Sequence, residues 1–587
     1  MVVLIDKIHL LNIPFLLLLS VFRFEIYYFS IQSILRNKKI IFFFDTLNLK
    51  FVDHSNKNLT FKKSKGLIMY QSTLKFKKII SSFRKKMFNN NLKYFFKDKV
   101  MFEVFFFKKF HKEFERLTFM NEFGLASKKK YIIWFNSFIF LQNLIQNKFE
   151  YKMCRPKLFI LLNLLCFVID KIFKNISSYL RKKNIVQKKI KINEYGKDDY
   201  SKINYIFFPH KGIKDQYVFK NHFLISKKTS LLRFIFVEWR YDFHKNSFIF
   251  YKKKNVNFCT WENINKKKNL FFILISRSLL QFIFNIPLLV SCYQIEKAYY
   301  KLSRFKNVKK IFVGDEVNFP SQISIAAKRL SIQIIAYQKR ISVPAHNQLI
   351  IDKYFLLGNK SKVDLSYQID KKIKPVIVGN FILNFHSTVK YYSTKKFKYK
   401  CLVLDQHVKT SWYFKTINPL INETNHKILL NNVIKLSNKF PDILFVIKSK
   451  DEDWKDDKTY RPIFKKMNRK KNLRLFKNKK FIQNSDLLSS FDFALGKPSS
   501  IIDDFLSGGK PIVIFDNDHR TKHTIKYPNE IFTDDYFNLE LKVGKILSDY
   551  DKVINKLDKT KNFFFKKFNI NKYEKILNKI LDENDKL

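Results

Sequence analysis

Between Lys400 and Phe515 short apolar runs alternate with longer stretches that carry apolar residues at helical spacing, and this alternation constrains the fold more than any other feature of the chain. CLVLD (Cys401–Asp405) precedes a helical pattern over about 422–439. ILFVIK, LRLF, the segment DLLSSFDFALG, the pattern SSIIDDFLSG and the run KPIVIF follow in turn. Short runs that are apolar throughout are those of strands buried on both faces, which occur in parallel sheets covered by helices. Strands alternating with helices through short connections predict a doubly wound parallel sheet, in which ligands bind beyond the carboxyl ends of the strands.

The middle of the chain repeats the pattern. Asn204–Ile213 (NYIFFPHKGI) reads as a strand ending in a turn with His210 and Gly212. Lys310–Val313, a loop with Gly314, Asp315, Glu316 and Pro320, a helix over about 321–330 and a strand over 332–337 make a βαβ unit. YFLLG and PVIVGN add two strands, and a linker is expected near 385–399. The first 200 residues are less regular. Lys-rich joints separate runs such as IIFFFDTL, KGLIMY and KKKYIIWF, read as buried strands, with a helix over about 102–119. Charge is densest over 181–202, the expectation for an exposed joint. A chain of 587 residues exceeds one ordinary core. The expected order is an irregular, helix-rich N-terminal region over 1–200, a Rossmann-like domain over 201–385, a second over 400–560 and a C-terminal helix over 561–587.

Composition narrows the function classes. The net charge of +63 would suit a polyanion such as nucleic acid or an anionic membrane. The chain is also rich in Lys, Phe, Ile and Asn and poor in Gly and Pro, a bias that an AT-rich genome produces, with Lys filling exposed positions. Lys is spread along the whole chain rather than gathered in one module, which weighs against nucleic acid as the partner. The five cysteines are widely spaced with no CxxC pair, which argues against a disulfide framework or a zinc site and fits a reducing compartment. The apolar stretch Ile8–Phe22 is closed by Arg23 and Glu25 without a small-residue cleavage site. The uncharged stretch Ser278–Ile295 is long enough to span a bilayer but contains Gln281, Asn285 and Pro287, and reads as buried core or a surface-docking segment, with a true span as the alternative.

The sharpest local signal is DFALGKPSSIIDDFLSGGKPIVIF, from Asp492 to Phe515. A strand ends at Gly496; Lys497, Ser499 and Ser500 turn into a helix; Ser507, Gly508 and Gly509 close it. The amides of a helix N-terminus, with small hydroxyls, a glycine and a lysine, form an anion site, although Ser at an N-cap and Gly at a C-cap also mark any strand–helix–strand turn. The segment resembles the donor-binding element of GT-B-type glycosyltransferases of surface and capsule polysaccharide synthesis, and of related epimerases. That resemblance implies a diphosphate held at Ser499 and Ser500, and a ribose contact from Asp504, five residues before Gly509; Asp503 beside it leaves the register open. ILFVIKSK resembles the strand that ends in Lys-x-His-Pro in glycerophosphotransferase relatives, with Lys448 retained and Ser449-Lys450 in place of His-Pro. Lys310–Asn347 resembles a segment of capsule-synthesis transferases in which Gln338 keeps the Gln of Gln-His-Gly, Lys339 and Arg340 replace the rest, and His346 follows. Asp352–Phe355, Gly358 and Gly379-Asn380 continue the family order. The implied fold is two Rossmann-like domains facing a cleft.

Transfer from such a donor needs a base near the acceptor hydroxyl and positive groups near the departing diphosphate. Candidate bases are His210, Asp315 and Glu316. Candidate diphosphate and donor contacts are Lys448, Gly496, Lys497, Ser499, Ser500 and Asp504, with Arg520 and Lys522 as further phosphate contacts. His519 and His523 have metal-compatible spacing but no convincing carboxylate partner, and neither a metal nor another cofactor is expected. The resulting expectation is a transferase moving a sugar or polyol phosphate from a nucleotide-activated donor to a glycan or lipid-linked acceptor, in the cytoplasm and peripheral on the inner membrane face. The alternatives are a nucleic-acid-binding protein, or an epimerase-like or inactive relative.

Overall fold

The computed structural model describes residues 2–5, 8, 13–22, 24–28, 49–51, 65–87, 95–126, 131–134, 152–153, 200, 202–208, 234–238, 257–261, 286–314, 316, 319–338, 348–380, 396–405, 423–449, 453–456, 458–476, 484–497, 499–517 and 527–583. The chain divides into two compact units. One comprises Met1–Ile79, Phe110–Arg181 and His386–Asp558, the other Ile80–Lys109, Lys182–Phe385 and Lys559–Leu587.

The N-terminal region contains more sheet than its sequence suggests. Strands β1 (Val2–Ile5), β2 (Glu25–Tyr28), β3 (Leu49–Phe51), β4 (Tyr131–Trp134) and β5 (Lys152–Met153) form a five-stranded parallel sheet in the order β3-β2-β1-β4-β5. Helix α1 (Ile13–Val21) joins its core through Leu16, which clusters with Val3, Ile5, Ile8, Ile26 and Tyr28. Helices α2 (Lys65–Met87) and α3 (Lys99–Ala126) follow. The run KGLIMY, which reads as a strand, opens α2 instead. Ile68, Met69, Ser72, Thr73, Phe76, Ile79 and Ile80 are buried at the spacing of one helical face. Phe76 stacks on Phe114 with ring centroids 4.6 Å apart, and Thr118 Oγ1 donates to Ser72 Oγ at 3.2 Å.

The second sheet has seven parallel strands: β6 (Tyr205–Phe208), β7 (Phe234–Glu238), β8 (Asn257–Thr260), β9 (Lys310–Val313), β10 (Gln333–Tyr337), β11 (Lys353–Leu356) and β12 (Lys374–Ile377). Their order is β12-β11-β10-β9-β6-β7-β8, so the direction of winding reverses between β6 and β9. Period-two alternation sorts the side chains. Ile206, Phe208, Ile235, Val237, Ile311, Val313, Ile334 and Ala336 face one core. Phe207, Phe234, Phe236, Phe312, Ile335, Tyr337 and Phe355 face the other. Helices α4 (Ile286–Leu302) and α5 (Ser321–Arg329) supply Ala298, Leu302, Ile323, Ala326 and Ala327 to the first core. Of the uncharged stretch Ser278–Ile295, residues 286–295 belong to α4, where Ser291, Cys292 and Ile295 are buried; residues 278–285 lie outside the described residues. Among the described residues no helix is long and apolar enough to cross a membrane. Helix α6 (Asn359–Asp364) follows β11.

The third sheet consists of β13 (Tyr399–Leu404), β14 (Ile443–Lys448), β15 (Leu473–Leu475), β16 (Phe493–Gly496), β17 (Ile512–Phe515) and β18 (Phe532–Thr533), all parallel, in the order β15-β14-β13-β16-β17-β18. The winding reverses between β13 and β16. Helices α7 (Glu423–Lys439), α8 (Arg461–Asn468), α9 (Asn484–Ser490), α10 (Ser500–Ser507) and α11 (Tyr536–Ser548) connect and follow the strands. Leu429, Leu430, Val433, Leu436, Leu539 and Val543 pack with Cys401, Val403, Phe445, Ile447, Phe493 and Leu495 in one core. Asp535 caps α11, its carboxylate accepting from the Asn538 amide at 2.8 Å. That bond holds the Asp535 carboxyl below its usual value, so the cap contributes at neutral pH and is lost as pH falls through the carboxylate range. Asp535→Ala is expected to lower stability by about 1 kcal/mol at pH 7. In chemical unfolding the gap between parent and variant should close below about pH 4.

Helices α12 (Tyr550–Phe564) and α13 (Ile570–Asp582) end the described chain. Helix α13 covers the aromatic face of the second sheet with Tyr573, Leu577, Ile580 and Leu581. Tyr337 and Tyr573 share a hydrogen bond of 2.8 Å between buried phenols. Lys310, fully buried, donates from Nζ to the carbonyls of Ile580 and Leu581, and Lys353 pairs with Glu583.

Candidate functional site

In a doubly wound sheet the strands part company where the winding reverses, leaving a crevice at their carboxyl ends. In the third sheet that point lies between β13 and β16, where Leu404 pairs with Gly496 on one side and with Lys448 on the other. Gly496 has φ 143, a backbone region that favours glycine, and a Cβ there would stand 2.1 Å from the Leu404 carbonyl oxygen. The glycine thus lets two strand ends touch at the point of reversal. The chain then turns through Lys497, whose amide donates to Leu404 O at 3.0 Å, and enters α10 at Ser500.

Ser499 is the N-cap of α10, with Oγ accepting from the Ile501 amide at 3.4 Å. Ser500 begins the helix, so its backbone belongs to the first turn. Lys497 is 6% exposed; its Nζ donates to Asn517 Oδ1 and lies 4.8 Å from the centre of the Phe515 ring. Asn517, just past β17, donates from Nδ2 to Asn425 Oδ1 at 2.7 Å, in the first turn of α7. Lys448 is half-buried at the end of β14, followed by buried Ser449. Asp503 and Asp504 are both buried on α10, and Asp503 accepts from the Tyr527 hydroxyl. The lysine of the Gly-Lys-Pro element has a structural job. Lys510 Nζ donates to the carbonyls of Leu488 and Phe491 at the end of α9, and burial lowers its pKa.

A buried polar cluster at the end of β13 was not singled out from the sequence. Asp405 accepts from Trp454 Nε1 at 3.1 Å, and its Oδ2 lies 3.4 Å from His426 Nε2. His426 Nδ1 is 3.0 Å from the Tyr460 hydroxyl. Asp405, His426, Trp454 and Tyr460 are all under 5% exposed. Asn517 was missed too. The rule that marks Lys497, a polar residue directly after an apolar strand, marks Asp405 too, whereas Asn517 stands one position further from its strand, beyond Asp516.

Of the candidate bases, Glu316 lies among the described residues. Glu316 follows β9 at the reversal between β6 and β9, is 2% exposed, and accepts from the Tyr354 hydroxyl at 3.2 Å. Burial and the neighbouring Glu316 carboxylate push the Tyr354 phenol up. Gln338 is buried and accepts from the Leu357 amide at 3.0 Å, tying the end of β10 to that of β11. Gly379 has φ 95, and a Cβ there would stand 2.5 Å from the Lys566 carbonyl oxygen. His210, Asp315, Lys339, Arg340, His346, His519, Arg520, Lys522 and His523 lie outside the described residues.

No protein-family model matches the sequence, and no curated protein sequence matches it. Among solved structures the chain is similar to the S. aureus MnaA-UDP co-structure, at 12% identity over 66% of this chain and 98% of that one, with a TM-score of 0.43. It is similar to UDP-GlcNAc 2-epimerase from Neisseria meningitidis bound to UDP-GlcNAc, at 14% identity over 65% and 100%, TM-score 0.43. It is also similar to the wall teichoic acid polymerase TagF, at 11% identity over 70% and 98%, TM-score 0.39.

Proposed function

We propose that the carboxyl edge of the third sheet binds the diphosphate of a nucleotide-activated donor, and that the protein transfers the sugar or polyol phosphate of that donor to a glycan or lipid-linked acceptor. The observation that carries this reading is the junction at the winding reversal. Gly496 brings two strand ends into contact, Lys497 follows it, and the capped N-terminus of α10 comes next. Helix-end amides and a lysine at such a crevice suit a diphosphate, the group on which negative charge grows as the donor bond breaks. In this reading Lys448, Lys497 and the backbone of Ser499 and Ser500 stabilise the leaving diphosphate. Arg520 and Lys522 add charge, and Asp504 meets the ribose. His210, Asp315 or Glu316 takes the proton from the acceptor hydroxyl, and no metal or other cofactor is required. The net charge of +63 favours work against an anionic membrane surface on the cytoplasmic side.

A thermal-shift series with UDP-, CDP-, GDP- and CMP-linked donors tests the reading, with Asp504→Asn beside the parent. A ligand that binds the native state alone raises the midpoint by mass action, by about 2.7 kcal/mol of stability at a hundred times Kd. One nucleotide class is expected to shift the parent and to shift the variant less. No shift with any donor, together with a salt-sensitive shift with oligonucleotides, would instead support nucleic-acid binding.

A further inference from the structure

We infer that helix α1 is a membrane-docking element whose outer face lies in the interface of an anionic lipid bilayer; the inference deepens the membrane part of the function proposed above and rests on it. The inner side of α1 packs on the first sheet. Leu16 is buried, and Ile13, Phe15 and Leu19 pack against the same core. The positions left exposed are Pro14, Leu18, Val21 and, just past the helix, Phe22. They stand at i, i+4, i+7 and i+8, the spacing of one helical face, so the outer stripe is apolar from end to end. Leu18, Val21 and Phe22 are 54%, 77% and 67% exposed. Single apolar residues are ordinary on a protein surface, but a helix apolar on its outer stripe as well as its inner one belongs in a core or against lipid.

The structure excludes the core and a transmembrane span. The exposure of the stripe rules out the core. Nine residues of helix rise about 14 Å, roughly half of the hydrocarbon thickness of a bilayer. The strands before and after α1, β1 and β2, also pair with each other in parallel, so the chain returns to the sheet it left. A short helix that neither buries its outer face nor crosses the bilayer lies in the plane of the interface.

Charge decides which apolar surface fits. Lys7 and Arg23 bracket the helix, with no Asp or Glu between them. From Ser30 to Met87 the only acidic residues are Asp45 and Asp53, set among a long series of Lys and Arg. A second copy of this chain would bring the same positive charge against itself. An anionic bilayer answers the apolar stripe and the charge together, each Lys or Arg near its surface adding about 1 kcal/mol.

The experiment measures binding of the full-length protein to phosphatidylcholine vesicles with and without about 30% phosphatidylglycerol. The parent is compared with a triple variant, Leu18→Ser, Val21→Ser and Phe22→Ser, which changes no charge. The parent is expected to bind the anionic vesicles more tightly than the neutral ones. The triple variant should bind the anionic vesicles about tenfold or more weakly than the parent, with an unchanged melting point. That gap should persist as salt is raised, since ions screen charge and leave the apolar contact in place. Phe22→Ser alone, expected to weaken binding severalfold, carries the test if the triple variant does not fold. Equal binding of parent and variants to the anionic vesicles would overturn the role of α1 and leave the membrane reading standing. A parent that binds both vesicles alike would overturn the anionic surface as the partner. A parent that sediments as a dimer, with a monomeric triple variant that binds vesicles as the parent does, would make the stripe an interface between copies. A parent that binds neither vesicle would remove the membrane reading and this inference together.

Discussion

Ending the chain before Lys559 is expected to abolish cooperative folding of the second-sheet unit. The seven strands are parallel, and a parallel sheet needs both faces covered. One face is covered by α4 and α5, which precede the cut. The other presents Phe207, Phe234, Phe236, Phe312, Ile335, Tyr337 and Phe355, and its cover includes Phe568, Tyr573, Leu577, Ile580 and Leu581. Without the segment these rings meet water as one contiguous apolar patch, the kind of surface that drives aggregation. The attachment also runs through the backbone. The Asn380 amide donates to Lys566 O at 3.1 Å, Lys566 N donates to Leu357 O at 2.8 Å, and Gly379 leaves no room for a side chain against Lys566. Hydrogen exchange read over 203–208, 310–313 and 333–337 measures the outcome. Loss of protection there in the truncated protein is expected, and parent-like protection would show that the sheet stands without its C-terminal cover. Leu577→Ala in the intact chain asks the same question more gently. A cavity at a side chain 1% exposed should cost about 2–5 kcal/mol.

This dependence shows what was legible in the sequence and what was not. Most strands of the second and third sheets were readable as short apolar runs closed by a turn residue, but β7, β8 and β18 were not read. The run ILFVIK became β14 over Ile443–Lys448, and KIFV became β9 over Lys310–Val313. The partner of a covered face is another matter. The pattern of α13, with apolar residues at Tyr573, Leu577 and Ile580, announces an amphipathic helix without naming the sheet, far earlier in the chain, that it covers. The N-terminal region was legible only in part: KKKYIIWF, read as a strand, became β4 over Tyr131–Trp134. Its other strands have two to four residues, too short to stand out among so many Phe and Ile. KGLIMY was read as a strand because six residues cannot separate a period of 2 from one of 3.6. The repeat that decides it runs on through Phe76 to Ile80.

At the candidate site the sequence exposed the residues that follow strands and hid the ones they hold. Lys497 and Ser499 sit in a recognisable strand–turn–helix string, and Gly496 marks the strand end. Asn425 and Asn517 are 92 positions apart and meet only because α7 follows β13 while β17 lies two strands away in the sheet. Asp503 and Asp504 could not be told apart from spacing; the structure gives Asp503 to Tyr527.

The same four-residue neighbourhood gives the second large expectation: Gly496→Ala should destabilise the third-sheet domain by about 3–5 kcal/mol. Two separate costs enter. At φ 143 an L side chain is strained, which costs on the order of 1–3 kcal/mol. The added methyl would also stand 2.1 Å from Leu404 O, 2.8 Å from its amide nitrogen and 2.9 Å from its carbonyl carbon. These are backbone atoms of a central strand, paired on both sides, so they cannot swing aside as a flexible side chain would. Relief requires β13 and β16 to separate at the reversal, which is also where Lys497 N bonds to Leu404 O. Stability and diphosphate affinity are therefore expected to fall together, with the melting transition of this domain lower by roughly 10 °C. Gly544→Ala is the matched control. That glycine lies inside α11, and a Cβ there meets nothing within 4 Å. Alanine favours a helix over glycine by about 0.8–1 kcal/mol, so this exchange should raise the same transition. A pair of identical chemical changes with opposite signs separates the demand for a bare backbone at the strand crossing from any general dislike of alanine. If Gly496→Ala melted with the parent, the close contact between β13 and β16 would not be what holds the crevice in shape.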